Sequence, residues 1–241
     1  MLTGGGAMHL NHSLGTHDSI QCLFNHHEQA CAMAADSYFR LSGKLSVVNV
    51  TSGPGGTNAI TGVYGAWTDS IGMLVISGQV KWETTVQSTN LSLRQLGDQE
   101  IDIVKSVRSL TKYAVTITDP NSIQYHLDKA IYLAQSGRPG PCWLDIPMNV
   151  QASTIDTNNL IKFDAAEIEQ PWKTLDLTRL CKTLVNRIEQ AERPVILAGT
   201  GIRLSRSLDT FHKVIDQLQI PVVTAWNAHD LIPDRHPLYA G

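Results

Sequence analysis

The sequence predicts an α/β fold built around a mainly parallel, doubly wound sheet, which is a sheet with helices on both faces. Short β-branched runs alternate with helical patterns along most of the 241 residues, as they do in βαβ units. These runs are mostly apolar, which is typical of parallel strands buried on both faces. Glycine-rich turns follow several of the runs, where a strand would connect to the next helix.

The first elements begin with a glycine run at residues 4–6, which predicts a strand end, a tight turn and the start of a helix. An apolar strand is predicted at residues 20–24. From Glu28, small and apolar residues recur with helical spacing as far as Leu41, so we expect a helix that packs closely on a sheet. The β-branched run at residues 45–50 predicts a buried parallel strand.

Helix and strand patterns continue to alternate after this strand. They predict, in order, a helix at 56–68, a strand at 73–77, a loop at 83–90, a helical face at 101–107, a strand at 113–117, a helix from Asp119 to about 134, and a strand at 142–146. These elements complete a first domain at residues 1–150. We expect its N-terminal edge to be truncated, because nothing precedes Leu2 to complete a strand.

The remaining residues predict a linker and a second, incomplete α/β domain. Residues 151–172 carry few apolar residues in any period, which is typical of an interdomain linker. Residues 173–241 contain a helical pattern at 175–190 and strands at 194–198 and 220–225. So few strands cannot close a core, and we therefore expect this domain to be incomplete.

Composition favours small-molecule chemistry or a protein partner. The formal charge of −3 comes with no basic stripe, so neither nucleic acid nor a membrane surface is an expected partner. No apolar run approaches the ~20 residues of a membrane-spanning helix. The 4 cysteines form no CxxC pair and no secretory signal opens the chain, which predicts reduced thiols in the cytoplasm.

Two familiar motifs are incomplete in this chain. His27-Glu28 would begin a zinc-protease motif, but Cys31 replaces the second histidine, so no metal site is predicted there. The glycine turn at residues 53–58 is similar to a dinucleotide fingerprint, although Asn58 stands where glycine or alanine belongs. A Rossmann-type oxidoreductase that uses NAD or FAD therefore stays as an alternative.

Several further motifs occur together in one order and spacing. They are Gly4-Gly5-Gly6, His27-Glu28-Gln29-Ala30, Thr51-Ser52-Gly53-Pro54-Gly55-Gly56-Thr57-Asn58, Ser77-Gly78-Gln79-Val80, and Gly137-Arg138-Pro139-Gly140-Pro141 followed by Asp145-Ile146-Pro147. In this combination the chain resembles the thiamine-diphosphate-dependent enzymes of the acetolactate synthase type. Residues 1–150 resemble their pyrimidine-binding domain, and residues from 175 onward resemble the opening of their Rossmann-like central domain.

The resemblance implies a role for Glu28 in activating the cofactor. In the family, the matching glutamate hydrogen-bonds the N1′ atom of the aminopyrimidine ring, and the ring then removes the C2 proton of the thiazolium. The resemblance places the other candidate cofactor-binding residues near the pyrimidine, beside the cofactor or facing the reaction centre: Gly4, Gly5, Thr51, Pro54, Asn58 and Gln99. Arg138 matches an arginine that touches FAD in flavin-containing members, or else it caps the C-terminus of a helix.

The resemblance also implies thiamine diphosphate as the cofactor, a 2-oxo acid as the substrate, and a homodimer or homotetramer with active sites between subunits. The implied reactions are carboligation and decarboxylation. In the family, a separate C-terminal domain with a Gly-Asp-Gly motif binds the diphosphate and its Mg²⁺. Here Gly97-Asp98-Gln99 is the only Gly-Asp sequence, so we expect that domain to be absent and the chain to be inactive alone.

The identity of the substrate stays open because two positions depart from the family pattern. Gly4 stands where acetolactate synthases usually have proline, and Asp98 stands where they have an aromatic residue. Relatives that act on other 2-oxo acids therefore fit equally well. A non-catalytic remnant or interaction module is a further alternative, since Glu28 and the glycine turns would supply only half of an active site.

Overall fold

The computed structural model describes residues 1–169 and 174–241, which form two compact units. The first unit is Met1–Ile168 and the second is Glu169–Gly241. The division between them falls within the predicted linker at residues 151–172, of which residues 170–172 lie outside the described residues. No helix in the described part of the chain is long and apolar enough to cross a membrane.

A four-stranded sheet forms the centre of the first unit. Its strands are β1 (Val47–Val50), β2 (Met73–Gln79), β3 (Tyr113–Thr116) and β4 (Pro141–Pro147). They lie in the order β1-β2-β4-β3, and every neighbouring pair is parallel. The two inner strands are buried along nearly their whole length. This arrangement confirms the predicted parallel α/β sheet. The apolar runs could predict it because a strand buried on both faces has to be apolar at almost every position.

Helices cover both faces of this sheet. Those of the first unit are α1 (Met8–Thr16), α2 (Glu28–Ser42), α3 (Pro54–Thr68), α4 (Ile103–Val107), α5 (Ile123–Gln135) and α6 (Met148–Gln151). On one face, Leu127 of α5 packs against a cluster that contains Leu74 and Leu144. On the other face, Trp143 lies beside Gly56 of α3. Successive residues of a strand point to opposite faces, so Trp143 and Leu144 belong to two separate cores.

The predicted strand at residues 20–24 is wrong. This segment belongs to no sheet of the described structure, and its apolar side chains are exposed. Asn25 N donates a hydrogen bond to Met1 O at 3.3 Å, and Leu2 N donates to Asn49 O at 3.2 Å. Met1 and Leu2 therefore separate the segment from β1, and two residues offer too few backbone groups to build a ladder.

Residues 151–168, part of the predicted linker, include side chains that pack on α5. The Phe163 ring meets the Tyr125 ring edge-on, with centroids 5.9 Å apart. Tyr125 also donates a hydrogen bond from its hydroxyl to Glu167 Oε2 at 2.8 Å. Single aromatic contacts of this kind leave no periodic pattern, so the sequence does not predict them.

Helices α2 and α3 approach each other closely because small residues line their contact. The buried members of this set are Ala32, Ala35, Ala59, Gly62 and Ala66. A Cβ added to Gly62 would lie 2.5 Å from Ala32 Cβ and 3.1 Å from the Ala32 carbonyl carbon. Gly65, one turn later, would accommodate a Cβ with no atom within 4 Å. Only one of these two glycines is therefore required for packing.

Gly62→Ala should destabilise the first unit by roughly 1–3 kcal/mol, because the added methyl group would push α2 away from α3. Gly65→Ala is the matched control on the same helix, and it should stabilise the unit by up to about 1 kcal/mol because alanine favours helix. Urea unfolding of both variants measures the difference. Equal effects at the two positions would contradict the close helix contact.

The second unit contains a parallel strand pair, β5 (Ile196–Ala198) and β6 (Val222–Thr224). Its helices are α7 (Leu177–Glu189), α8 (Gly201–Leu204) and α9 (Leu208–Leu218). Ile215 of α9, Val222 and Leu231 are buried together in its core. Leu184 of α7 and Leu197 of β5 are exposed. The predicted helix and both predicted strands are confirmed. In the described part of this unit, a hydrophobic core covers only one face of the short sheet.

Candidate functional site

Most of the predicted site residues lie at the carboxyl edge of the first unit's sheet. Thr51 directly follows β1, Gln79 is the last residue of β2, and Glu28 opens α2. Ligands of parallel α/β sheets usually bind at this edge, because the turns there present helix N-termini and free backbone N–H groups. The candidate functional site therefore lies at this edge.

Glu28 lies in a recess at the first turn of α2, where only 8% of the residue is exposed. Asn58 Nδ2 donates a hydrogen bond to Glu28 Oε2 at 3.0 Å, so the structure brings these two predicted residues together. The other carboxylate oxygen, Oε1, faces Gly55, since a Cβ built on that glycine would lie 3.7 Å from it. One oxygen is thus held by the protein, and the other faces a residue that carries no side chain.

His27, to which the sequence assigns no role, caps helix α2. Its Nδ1 accepts a hydrogen bond from the backbone N–H of Gln29 at 3.1 Å. This bond satisfies one of the unpaired N–H groups at the helix start and fixes the backbone on both sides of Glu28. Within residues 1–169 and 174–241, no group of three or more His, Cys, Asp or Glu side chains could hold a metal ion.

Thr51 is the point at which several glycines converge. Its Oγ1 accepts a hydrogen bond from Gly6 N at 3.0 Å. A Cβ at Gly4 would lie 2.5 Å from Thr51 Cγ2, and a Cβ at Gly55 would lie 2.7 Å from the same atom. Gly4 is extended, with a φ of −173°, so the proline of the acetolactate synthases would not fit this backbone conformation. Gly5 is exposed and faces open space.

The turn at Gly53 brings the backbone of Gln99 to the same edge. Gly53 has a φ of 57°, and a Cβ at this position would collide with the Gln99 carbonyl oxygen. Glycine is therefore required here for its conformation and for space. Pro54 begins α3 directly afterwards, where its missing N–H costs no helical hydrogen bond. Gln99 also has a positive φ, of 56°, and is exposed.

Arg138 does not join these residues, because it lies near the opposite edge of the sheet. Its Nε donates a hydrogen bond to Ser70 Oγ at 2.6 Å, and the two residues precede β4 and β2. A strand of the length of β2 puts roughly 20 Å between the two edges. Lys112 bonds the end of α5, since its Nζ donates to Leu133 O in the last turn and to Ser136 O just after the helix.

A buried polar network lies directly beneath the site, and none of its members is a predicted site residue. Asp145 on β4 is 2% exposed and accepts a hydrogen bond from Ser77 Oγ at 2.6 Å. Trp143 Nε1 donates to the same Ser77 oxygen at 2.8 Å. Gln79 Nε2 and Thr116 Oγ1 each donate to Asp145 Oδ2 at 3.3 Å. Burial raises the pKa of Asp145 to about 7. The only sequence signal for this network is one aspartate, Asp145, in a largely apolar strand.

Fold and site together define a class of protein: a parallel α/β domain that can hold a flat, hydrogen-bonding ring at the carboxyl edge of its sheet. The recessed carboxylate of Glu28 can hydrogen-bond a ring nitrogen through Oε1. The turn at Gly53 and Gly55 lets a planar ring come close to the backbone. These features fit the aminopyrimidine ring of thiamine diphosphate.

Two family models match this chain. The first is described as "Thiamine pyrophosphate enzyme, N-terminal TPP binding domain" and matches residues 1–106. The second is described as "Thiamine pyrophosphate enzyme, central domain" and matches residues 181–241. The chain belongs to the thiamine pyrophosphate enzyme family.

Within this family, the chain is similar to acetolactate synthase large subunits. It is 34% identical over 238 residues to the acetolactate synthase large subunit of Lactococcus lactis subsp. lactis, which covers 99% of this chain and 40% of the relative. It is 34% identical over 245 residues to the probable acetolactate synthase large subunit of Methanococcus aeolicus, covering 98% and 38% respectively. The chain thus spans about 40% of the length of such relatives.

Proposed function

We propose that this chain binds the aminopyrimidine ring of thiamine diphosphate and forms part of a carboligase or decarboxylase that acts on a 2-oxo acid. The observation that carries the proposal is the Glu28 carboxylate, which Asn58 holds at Oε2 while Oε1 faces the turn at Gly55. Membership of the thiamine pyrophosphate enzyme family and the similarity to acetolactate synthase large subunits support it.

Each residue of the site has a distinct task in this proposal. Thiamine diphosphate, when bound, would supply a thiazolium ring whose C2 carbanion can add to the carbonyl of a 2-oxo acid and whose ring takes up the electron pair left behind when carbon dioxide leaves. Glu28 donates or accepts a proton at Oε1, in a hydrogen bond to a ring nitrogen. Asn58 keeps the carboxylate oriented, and the recess excludes water, which strengthens that hydrogen bond. Gly53 and Gly55 keep side chains away from the ring.

A dinucleotide oxidoreductase fits this geometry less well. In a dinucleotide site, the pyrophosphate lies against a glycine turn at a helix N-terminus. Here Glu28 Oε1 faces Gly55 in the first turn of α3, so a carboxylate would repel a pyrophosphate at that position. We therefore favour thiamine diphosphate over NAD or FAD at this turn.

We propose that the diphosphate and its Mg²⁺ are bound outside these 241 residues, so that the chain by itself does not complete a catalytic cycle. The 241 residues contain no Gly-Asp-Gly sequence. A contact of Arg138 with FAD would be remote from Glu28, because Arg138 hydrogen-bonds Ser70 near the other edge of the sheet. FAD is accordingly not part of the proposed reaction site.

We also propose that the chain forms a homodimer, or a homotetramer built from such dimers, through the exposed surfaces of α2 and α3. Large apolar side chains are exposed on these helices: Met33, Tyr38, Leu41, Tyr64 and Trp67. Apolar groups clustered on a surface mark protein interfaces more often than single ones do.

The four cysteines are unpaired, which supports a reducing compartment such as the cytoplasm.

An NMR titration of the chain with thiamine diphosphate tests the proposed site. The backbone amide signals of Glu28, Gly55 and Asn58 should shift, whereas NAD should leave them in place. Glu28→Gln should weaken binding about tenfold or more, because a hydrogen bond to a charged group contributes roughly 1.5–3 kcal/mol. Glu167→Gln is the matched control, since Glu167 accepts its hydrogen bond from Tyr125 on α5. Binding that ignores Glu28→Gln, or NAD shifts at Gly55, would contradict the proposal.

A further inference from the structure

Residues 95–102, which we call the Gln99 segment, have no regular secondary structure until α4 begins. The segment nevertheless lies against the candidate site, because the Gln99 carbonyl oxygen contacts Gly53. Gln99 has a φ of 56°, a left-handed conformation that costs a residue with a side chain roughly 1–2 kcal/mol. Such a conformation persists only where surrounding contacts enforce it.

Glu100 provides the first set of contacts. Its Oε1 accepts a hydrogen bond from Val86 N at 2.6 Å, and its Oε2 accepts from Leu96 N and Gly97 N at 3.0 Å each. One carboxylate thus ties the start of the Gln99 segment to the preceding turn at Val86. Hydrogen bonds from backbone N–H groups to a charged carboxylate are about twice as strong as neutral ones. Gln99 lies between the tied residues, so its backbone has little freedom.

Gln79 provides the second set of contacts, from the end of β2. Its Nε2 donates hydrogen bonds to Ile101 O at 2.9 Å and to Asp145 Oδ2 at 3.3 Å. Its Oε1 accepts a hydrogen bond from Val80 N at 3.0 Å. Only the amide nitrogen can donate to two acceptors, so the buried Asp145 fixes the orientation in which Gln79 reaches Ile101. This contact ties the Gln99 segment to the sheet just after Gln99.

We propose that Glu100 and Gln79 are positioning residues that hold Gln99 in its left-handed conformation at the rim of the site. They act on the two sides of Gln99, through Leu96 and Gly97 on one side and Ile101 on the other. The identity of the ligand at this rim rests on the proposed function, whereas the restraint on Gln99 does not. Neither Glu100 nor Gln79 hydrogen-bonds Glu28 in the described structure. Binding of the pyrimidine ring and the placing of Gln99 can therefore be measured separately.

Hydrogen exchange of the 241-residue chain tests the restraint without any cofactor. Glu100→Gln keeps the size of the side chain but replaces one acceptor oxygen with a donor, and Gln79→Leu removes the donor to Ile101. In either variant, the hydrogen-bonded amides of Leu96, Gly97 and Glu100 should exchange at least tenfold faster, while α2 and α3 keep their rates. Glu167→Gln should leave all these rates unchanged. Unchanged exchange at Leu96, Gly97 and Glu100, or equal acceleration in α2 and α3, would overturn the proposal.

A thiamine diphosphate titration separates this inference from the proposed function. In Glu100→Gln, the dissociation constant measured from the Glu28 and Asn58 amides should stay within twofold of the original chain. The Gln99 amide should lose its response to the ligand in the same variant. An unaltered Gln99 response would overturn the positioning role. If the original chain bound no thiamine diphosphate while the exchange result held, the proposed function would fail and the restraint on Gln99 would stand.

Discussion

Replacing Glu28 by glutamine should slow the exchange of the C2 proton of thiamine diphosphate by roughly 10²–10⁴-fold, the usual contribution of a positioned proton-transfer group. Glutamine can still accept the hydrogen bond from Asn58, which reaches Oε2 at 3.0 Å in the original chain. It cannot share a proton with a ring nitrogen, because an amide neither takes up nor releases a proton at neutral pH. The loss should therefore appear in proton exchange more than in folding.

Because the diphosphate is proposed to bind outside these 241 residues, the measurement uses a longer protein. A suitable one is a chimera in which this chain replaces the matching residues of the Lactococcus lactis acetolactate synthase large subunit, to which it aligns over 99% of its length. Exchange of the C2 proton with deuterium is followed by NMR after acid quenching. Glu167→Gln is the control and should exchange at the unaltered rate. Near-normal exchange in the Glu28→Gln chimera would remove the basis of the proposed function.

Replacing Asp145 by asparagine should stabilise the first unit at pH 8 by a few kcal/mol and abolish part of its pH dependence. Burial raises the pKa of Asp145 to about 7, whereas an unfolded aspartate titrates near 3.9. Between these values the folded protein keeps a proton that the unfolded chain has released. Stability should therefore fall as the pH rises from about 4 to about 7, by roughly 4 kcal/mol in total, and stay level above that range.

Asparagine removes this charge but leaves one acceptor oxygen for the three donors Ser77, Gln79 and Thr116, a loss of about 1 kcal/mol. The net effect at pH 8 should still be stabilising, while at pH 4, where Asp145 is uncharged, the variant should be less stable by about the 1 kcal/mol of the lost hydrogen bond. Urea unfolding at several pH values, followed by the indole N–H signal of Trp143 in NMR spectra, reports on this network because that group donates to Ser77. Asp119→Asn is the control at an exposed helix start. Parallel pH profiles of stability for the original chain and Asp145→Asn would contradict a raised pKa of the buried Asp145.

The inner strands and the main helices could be predicted because their residues carry the pattern themselves. The apolar run that became β1 and the small-residue face of α2 are visible within a single segment. The strand predicted at residues 20–24 failed because a strand also needs a partner, and only Met1 and Leu2 lie beside that segment. Apolar character alone does not supply the missing backbone hydrogen bonds.

Part of the candidate site was predictable from the family resemblance. Glu28 and Asn58 belong to recognisable motifs, and the structure joins them through a hydrogen bond of 3.0 Å. Arg138 belongs to a motif as well, yet it lies near the other edge of the sheet, bonded to Ser70. A motif defines the local turn, but the strand direction decides to which edge that turn belongs.

The sequence by itself determined the parallel α/β class and the positions of the inner strands, because these depend on residues close together in the chain. It indicated the candidate carboxylate Glu28 through the family resemblance of several motifs in one order and spacing. The tertiary structure decided how distant residues meet. The alignment of β2, β3 and β4 places Ser77 and Thr116 beside Asp145. The irregular Gln99 segment depends on hydrogen bonds to Glu100 and Gln79. Such contacts depend on strand register and loop path, for which short-range periodicity holds no information.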